Sequence, residues 1–184
     1  MEMKGERQLP GDRATIWAML NDPEVLKSCV PGCEGMTPTG ENAYDVAMNA
    51  AIGPVKARFK GRMQLTGIEP PTRYTLTFDG QSSQAGFARG EARIELTELS
   101  PGSTRLAYTA AAQIGGKLAQ IGARLLDAAA GATVERFFEA FAARLAERNS
   151  RVSAAAGASA SPAGRWGFWR WLGSFLRHLT SRRK

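Results

Sequence analysis

Histidine is almost missing from this chain: the single one among 184 residues is His178, close to the end. The long stretch before it therefore offers no imidazole to a Ser-His-Asp triad or a Cys-His pair. Cysteine is nearly as scarce. Cys29 and Cys33, in Cys-Val-Pro-Gly-Cys, supply two thiols where a structural zinc site takes four ligands, so no metal site is expected. The opening MEMKGERQLP lacks the apolar core of a secretory signal, which points to a reducing compartment and to thiols that stay free. Most of the chain also lacks net charge. Six of the seven units of positive charge belong to residues 165–184, as Arg165, Arg170, Arg177, Arg182, Arg183 and Lys184 with no acidic neighbour. The remainder is close to neutral, and a nucleic-acid partner loses its electrostatic motive.

What is present begins with a helical pattern from Gly115 to about Glu147. Leu118, Ile121, Leu125, Val134, Phe137, Phe138, Phe141 and Leu145 recur mostly at steps of three and four, so one stripe is apolar along the whole length. About 30 residues at roughly 1.5 Å each make a rod of about 45 Å, which needs a large partner surface to be stable. Ala128, Ala129, Ala130 and Gly131 leave the middle of the stripe thin. There the rod either bends or packs against something the chain does not supply.

The preceding residues supply the partner surface. Residues 2–9 suit a short strand, and Asp12 caps a helix over Arg13–Leu20. Asp22 caps a second one through Lys27, with Pro23 in the first turn where its missing N–H is harmless. From Ala43 the period becomes two. Tyr44, Val46, Met48 and Ala50 alternate with polar or small residues; after Gly53-Pro54, Val55, Ala57, Phe59, Gly61, Met63 and Leu65 alternate with Lys56, Arg58, Lys60, Arg62, Gln64 and Thr66. Further strands run through Tyr74–Phe78, Gly86–Thr97 and Thr104–Gln113, with turns at Pro70-Pro71, Asp79-Gly80 and Pro101-Gly102. Five or six hairpin-linked strands with one apolar face make an antiparallel sheet wet on its outside. This order predicts an α+β helix-grip fold, a curved antiparallel sheet wrapped around a long C-terminal helix.

The inward positions mix small residues (Ala57, Gly61, Gly80, Ala88, Gly90, Ala92, Ala110, Ala112) with Phe59, Met63, Phe78 and Tyr108. Two readings are open: glycines that kink the strands and alanines that admit the helix closely, or a hydrophobic pocket between sheet and helix. The pocket is preferred, since side chains this small do not fill the space inside a curved sheet. Acid–base catalysis has little to work with there, only the hydroxyls of Tyr44, Tyr74 and Tyr108.

After Arg148 the composition turns to Ala, Ser, Gly and Pro, which reads as a linker over 148–164. Residues 165–184 then sort on a helical wheel. Phe168, Trp169, Trp171, Leu172, Phe175, Leu176 and Leu179 form one arc, Arg170 and Arg177 lie on the other side, and Trp166 sits beside the arginines. The apolar span is too short and too interrupted to cross a bilayer but suits a basic helix lying in an anionic membrane interface. Roughly 1.5–3 kcal/mol per large buried side chain and about 1 kcal/mol per basic group give a gross attraction of order 10 kcal/mol. Docking of the same helix on a protein is the competing reading.

Asn21-Asp22-Pro23-Glu24-Val25-Leu26 running to Cys29-Val30-Pro31-Gly32-Cys33, then Gly53 to Gly61, Gly86-Phe87-Ala88, and Gly115-Gly116-Lys117-Leu118-Ala119-Gln120-Ile121-Gly122 together resemble the CoxG family of carbon monoxide dehydrogenase subunits, within the START-like superfamily, over about residues 1–147. The resemblance implies a hydrophobic cavity in a helix-grip domain. It also implies a role beside aerobic molybdenum hydroxylases of the carbon monoxide dehydrogenase type, in membrane recruitment and in handling the quinone that takes their electrons.

Three roles follow. The first is a non-catalytic accessory protein, cytoplasmic and attached to the inner face of the cytoplasmic membrane, holding an isoprenoid quinone (menaquinone or ubiquinone) against Met48, Phe59, Met63, Tyr74, Leu76, Phe78, Phe87, Tyr108, Leu118, Ile121 and Leu125. The second is a tether with a filled core. The third is a small cyclase-like enzyme acting on an apolar substrate. Deleting residues 165–184 is expected to release most of the protein from phosphatidylglycerol liposomes in a sedimentation assay; unchanged sedimentation refutes the membrane assignment of the tail.

Overall fold

The first two helices form where short-range chemistry dictates. In the computed structural model, which describes the backbone of residues 1–159 and the side chains of 1–151, α1 spans Arg13–Leu20 and α2 spans Pro23–Cys29. The Asp12 carboxylate accepts from the Thr15 N–H at 2.8 Å and the Thr15 hydroxyl at 2.7 Å, satisfying a donor that the first helical turn leaves free. These bonds hold the Asp12 carboxyl below its ordinary range, the Thr15 hydroxyl contributing most. Asp22 likewise accepts from the N–H groups of Glu24 and Val25.

The strands are β1 (Glu2–Pro10), β2 (Cys33–Gly40), β3 (Ala43–Ile52), β4 (Val55–Glu69), β5 (Arg73–Ser82), β6 (Gly86–Ser100) and β7 (Ser103–Gly115). They form one seven-stranded antiparallel sheet in the order β1-β7-β6-β5-β4-β3-β2, a meander closed at one edge by the N-terminal strand. Strand β4 shows the alternation most cleanly, with Ala57, Phe59, Met63 and Leu65 buried and Lys56, Arg58, Lys60 and Arg62 exposed. Across the curve Met63 faces Phe78, Phe78 faces Gly90, and Gly90 faces Ala112. A side chain at Gly61 would run into the Asp79 carbonyl and one at Gly90 into the Ala111 carbonyl, so the sheet bends where only hydrogen fits.

The last helix, α3, runs from Ala123 to Ser159. Its start differs from the sequence expectation. Residues Gly116–Ile121 form a separate 3₁₀ turn, and Gly122 at φ 92° breaks the path between the two. Leu118 and Ile121 therefore belong to the turn rather than to the rod. Beyond Glu147 the helix continues through the first part of the stretch read as linker, while the amphipathic stretch 165–184 lies outside the described residues. Strand β2 was also absent from the sequence reading. Its residues, Cys-Glu-Gly-Met-Thr-Pro-Thr-Gly, bury only Met36, and Pro38 is tolerated because β2 is an edge strand.

Met1–Glu147 is one compact unit with two separate cores. The larger packs Phe138, Phe141 and Leu145 of α3 against Leu9, Ile16, Met19, Leu20, Cys29, Leu96 and Leu106. The smaller packs Leu126 against Ala57, Phe59, Ala85 and Leu118. Between them α3 presents Ala129, Ala130 and Gly131.

Truncating Phe141, which is fully buried, is expected to cost about 3–5 kcal/mol in urea unfolding, whereas Leu125→Ala, at a site 51% exposed, should stay within roughly 0.5 kcal/mol. Asp12→Ala should cost about 1 kcal/mol at neutral pH. Because the folded carboxyl is held below its ordinary value, this contribution is present above about pH 4 and fades as pH falls through the folded value, so the two proteins should converge in acid; a pH-independent gap contradicts the cap.

Candidate functional site

Two adjoining hollows lie between the sheet and α3. The larger, of about 420 Å³, is walled by Met48, Phe59, Phe78, Leu118 and Leu126 and by Ala129 and Ala130 of the thin part of α3. The smaller, of about 280 Å³, is walled by Met63, Tyr74, Leu76 and Tyr108 with Phe137 and Phe138. Met3, Ala110, Thr133 and Val134 line both, so these four residues stand at their junction. Together the lobes fall within the roughly 300–1,000 Å³ typical of small-molecule sites.

The hollow exists because its walls are short. Ala88 and Ala112 of the sheet approach Ala129 and Ala130 across the larger lobe, and no side chain from either side is long enough to cross it. At the far end of the smaller lobe, Phe137 and Phe138 meet edge to face at 5.3 Å and Tyr108 stacks obliquely on Phe138 at 5.9 Å, closing the space with aromatic area. Arg7 lies over the Phe138 ring at 5.5 Å and pairs with Glu135, which ties β1 to this part of α3 from outside.

The walls are almost wholly apolar. Among the described residues lining either lobe there is no Asp, Glu, Lys, Arg or His. The polar groups are the hydroxyls of Tyr74, Tyr108 and Thr133, and Thr133 donates to the Ala129 carbonyl at 2.8 Å. Burial pushes the Tyr74 phenol far above its ordinary range, so it stays protonated and offers a hydrogen-bond donor rather than a base. Its ring is held edge-on by Trp17 at 5.5 Å. Among the described residues no group of three His, Cys, Asp or Glu could hold a metal ion. Cys29 is buried in the larger core and Cys33 opens β2; both thiols are free, and burial raises both above their ordinary values.

Eight of the eleven sequence-named residues line one lobe or the other, and three do not. Phe87 is 36% exposed on the outer face, lying on Gly115 with Arg89 over its ring at 5.3 Å. The alternation that turns Ala88, Gly90 and Ala92 inward necessarily turns Phe87 outward with Arg89 and Glu91. Leu125 is exposed, and Leu126 holds the wall in its place, because the helix phase is reset by Gly122. Ile121 packs on the smaller core without reaching the space. Residues that the sequence did not single out include Met1 just before β1 and Met3 within it, where glycine and charges obscure the period, and Leu26 of α2 with Val30 and Pro31 after it, which close the smaller lobe.

Residues 5–146 match the family model for CoxG, a carbon monoxide dehydrogenase subunit. Among solved structures, a conserved protein from Geobacillus kaustophilus superposes with a TM-score of 0.76 at 32% identity, over 80% of this chain and 96% of that one. A START superfamily protein from Mycobacterium smegmatis superposes at 0.59 with 15% identity (79% and 97% covered), and the Zhui aromatase/cyclase from a Streptomyces species at 0.61 with 15% identity (83% and 97% covered). The latter two, at that identity, speak for the fold alone. No curated protein matches the chain. With a family match over most of its length and a seven-stranded sheet closed by a long terminal helix, the chain belongs to the CoxG family of carbon monoxide dehydrogenase subunits and has the START-like helix-grip fold.

Proposed function

We propose that this protein is a non-catalytic accessory protein of an aerobic molybdenum hydroxylase of the carbon monoxide dehydrogenase type. It takes an isoprenoid quinone, menaquinone or ubiquinone, into the two-lobed cavity and links the enzyme to the respiratory chain from the inner face of the cytoplasmic membrane. The observation that carries this reading is the cavity wall: aliphatic, aromatic and methionine side chains without one ionised group, in a family named for the dehydrogenase.

The match between wall and ligand is energetic. At about 0.8 kcal/mol per methylene, each five-carbon prenyl unit moved from water into such a space gains roughly 3–4 kcal/mol. A quinone head carries two carbonyl acceptors, and the Tyr74 and Tyr108 hydroxyls are the donors that the smaller lobe can present. The absence of an acid or base among the walls supports carriage rather than turnover. Among the described residues no helix is long and apolar enough to cross a membrane, and attachment is assigned to the basic, tryptophan-rich residues 165–184.

Mass spectrometry of an organic extract of the protein, purified from a quinone-making host, is expected to return near-stoichiometric quinone. Ala110→Trp, which plants an indole at the junction of the lobes, should lower that yield at least roughly tenfold while leaving the far-ultraviolet circular dichroism unchanged. An empty extract from the unaltered protein leaves only the tether.

A further inference from the structure

We propose that the end of the body formed by the β3–β4 turn, the β5–β6 turn, the 3₁₀ turn and the first turn of α3 is itself a docking surface for an anionic lipid bilayer. It deepens the quinone-carrier reading and rests on it for its purpose, though the contact can be tested without any quinone.

The first observation is charge. Residues 46–62, 80–90 and 108–126, which lead to and from this end, contain seven basic side chains and no acidic one. Within these segments Lys56, Lys117 and Arg124 stand exposed at this end, with Arg89 and Lys60 behind them on the outer face. Glu34 and Asp45 pair Arg58 and Arg62, Asp79 stands across the ladder from Arg62 and Arg89, and Asp127 follows directly on the last segment, which leaves Lys56, Lys117 and Arg124 as the cations nearest the tip. The opposite end of the sheet is different. There Glu69, Glu95 and Glu98 accompany Arg73 and Arg105, and Arg73 is bonded to Glu69 at 2.6 Å.

The second observation is exposed apolar area at the same end. Leu125 is 51% exposed beside the Gly53-Pro54 turn, and Phe87 is 36% exposed over Gly115, the last residue before the 3₁₀ turn. The turns form one unit, since the Leu118 N–H donates to the Ala85 carbonyl at 2.9 Å. Immediately behind them Ile52, Leu118 and Leu126 wall the larger lobe. Apolar tips ringed by cations fit an anionic interface, where the tips enter the acyl boundary and the cations meet the headgroups. The placement also solves a transfer problem. Bilayer and cavity are similarly apolar, so a prenyl chain passing directly between them avoids the aqueous step that would forfeit the gain for every unit exposed.

The test uses the full-length protein with Cys33→Ser, Cys29 being buried, and an environment-sensitive nitrobenzoxadiazole probe at either Leu125→Cys or Leu99→Cys. Leu99 is 50% exposed near the β6–β7 turn at the opposite end and serves as the matched reference. On quinone-free phosphatidylglycerol vesicles the Leu125 probe is expected to brighten several-fold and shift to the blue, with the Leu99 probe unchanged. Lys56→Gln and Lys117→Gln should each weaken the vesicle dependence of that signal by roughly fivefold at low salt. Equal responses at both positions, or a silent Leu125 probe on protein that sediments with the vesicles, overturns the proposal. So does a Leu125 probe that ignores vesicles and responds only when the partner dehydrogenase is added. A positive signal here alongside a quinone-free extract would retire the carrier reading and leave the docking surface standing.

Discussion

The structure depends on how α3 is held. Its C-terminal half is locked by Phe138, Phe141 and Leu145 into a core that also includes α1 and the far ends of β6 and β7, while nearer its start Leu126 is the one buried side chain of α3 in the second core. Between these holds, over residues 128–131, the helix spans the concave sheet with no side chain larger than alanine. A rod fixed at two points across a curved surface leaves a gap, and the alanines facing each other over that gap preserve it. Cavity, fold and candidate function are three aspects of that geometry.

Most of this was legible because the two periods that govern it are strong. Period two in Val55–Leu65 and Gly86–Thr97 identified strands, faces and the small inward residues, and the Asp12 and Asp22 caps placed both short helices. The misreadings occur where the pattern is carried by one or two residues. Phe87 is named among the lining residues against the alternation of its own strand, and the alternation prevails because a half-buried aromatic resting on Gly115 costs little. Leu125 and Leu126 are consecutive, so a helix begun eight residues too early selects the wrong one. Strand β2 has almost no apolar content to betray it, since an edge strand is held by its ladder to β3 more than by burial. The cavity's division into two lobes was beyond the sequence, because it depends on where β1 inserts Met3 opposite Val134.

The surface repeats the division seen inside. Six of seven net charges lie in the C-terminal segment, which leaves the body nearly neutral as a sum. As a distribution it is not uniform: exposed cations gather at the end that walls the larger lobe, and acids with a bonded Arg73–Glu69 pair occupy the other. Exposed pairs of the second kind contribute little to stability. Exposed cations of the first kind likewise add little to the fold, and their concentration beside two exposed apolar side chains is better understood as a feature of what the molecule meets.

An apolar hollow also has a thermodynamic consequence. Side chains that border the larger lobe forgo the dispersion contacts that a filled core would give them, and that loss carries a cost in stability. Leucine or phenylalanine at Ala88, Ala112 or Ala130 would each fill part of that space with ordinary core packing, so the cost is one that substitutions could reduce. A ligand that fills the lobe recovers the lost contacts and couples its own binding to folding, since occupancy stabilises the native state by RT ln(1 + [L]/Kd). The same coupling limits how tight a useful carrier is. In the proposed carrier role, a prenyl chain leaving the bilayer would exchange one apolar environment for another, so the contacts regained by the wall would set the preference, and a closely filled cavity would hold such a cargo against release. Walls of alanine and methionine, loose rather than complementary, favour exchange over retention.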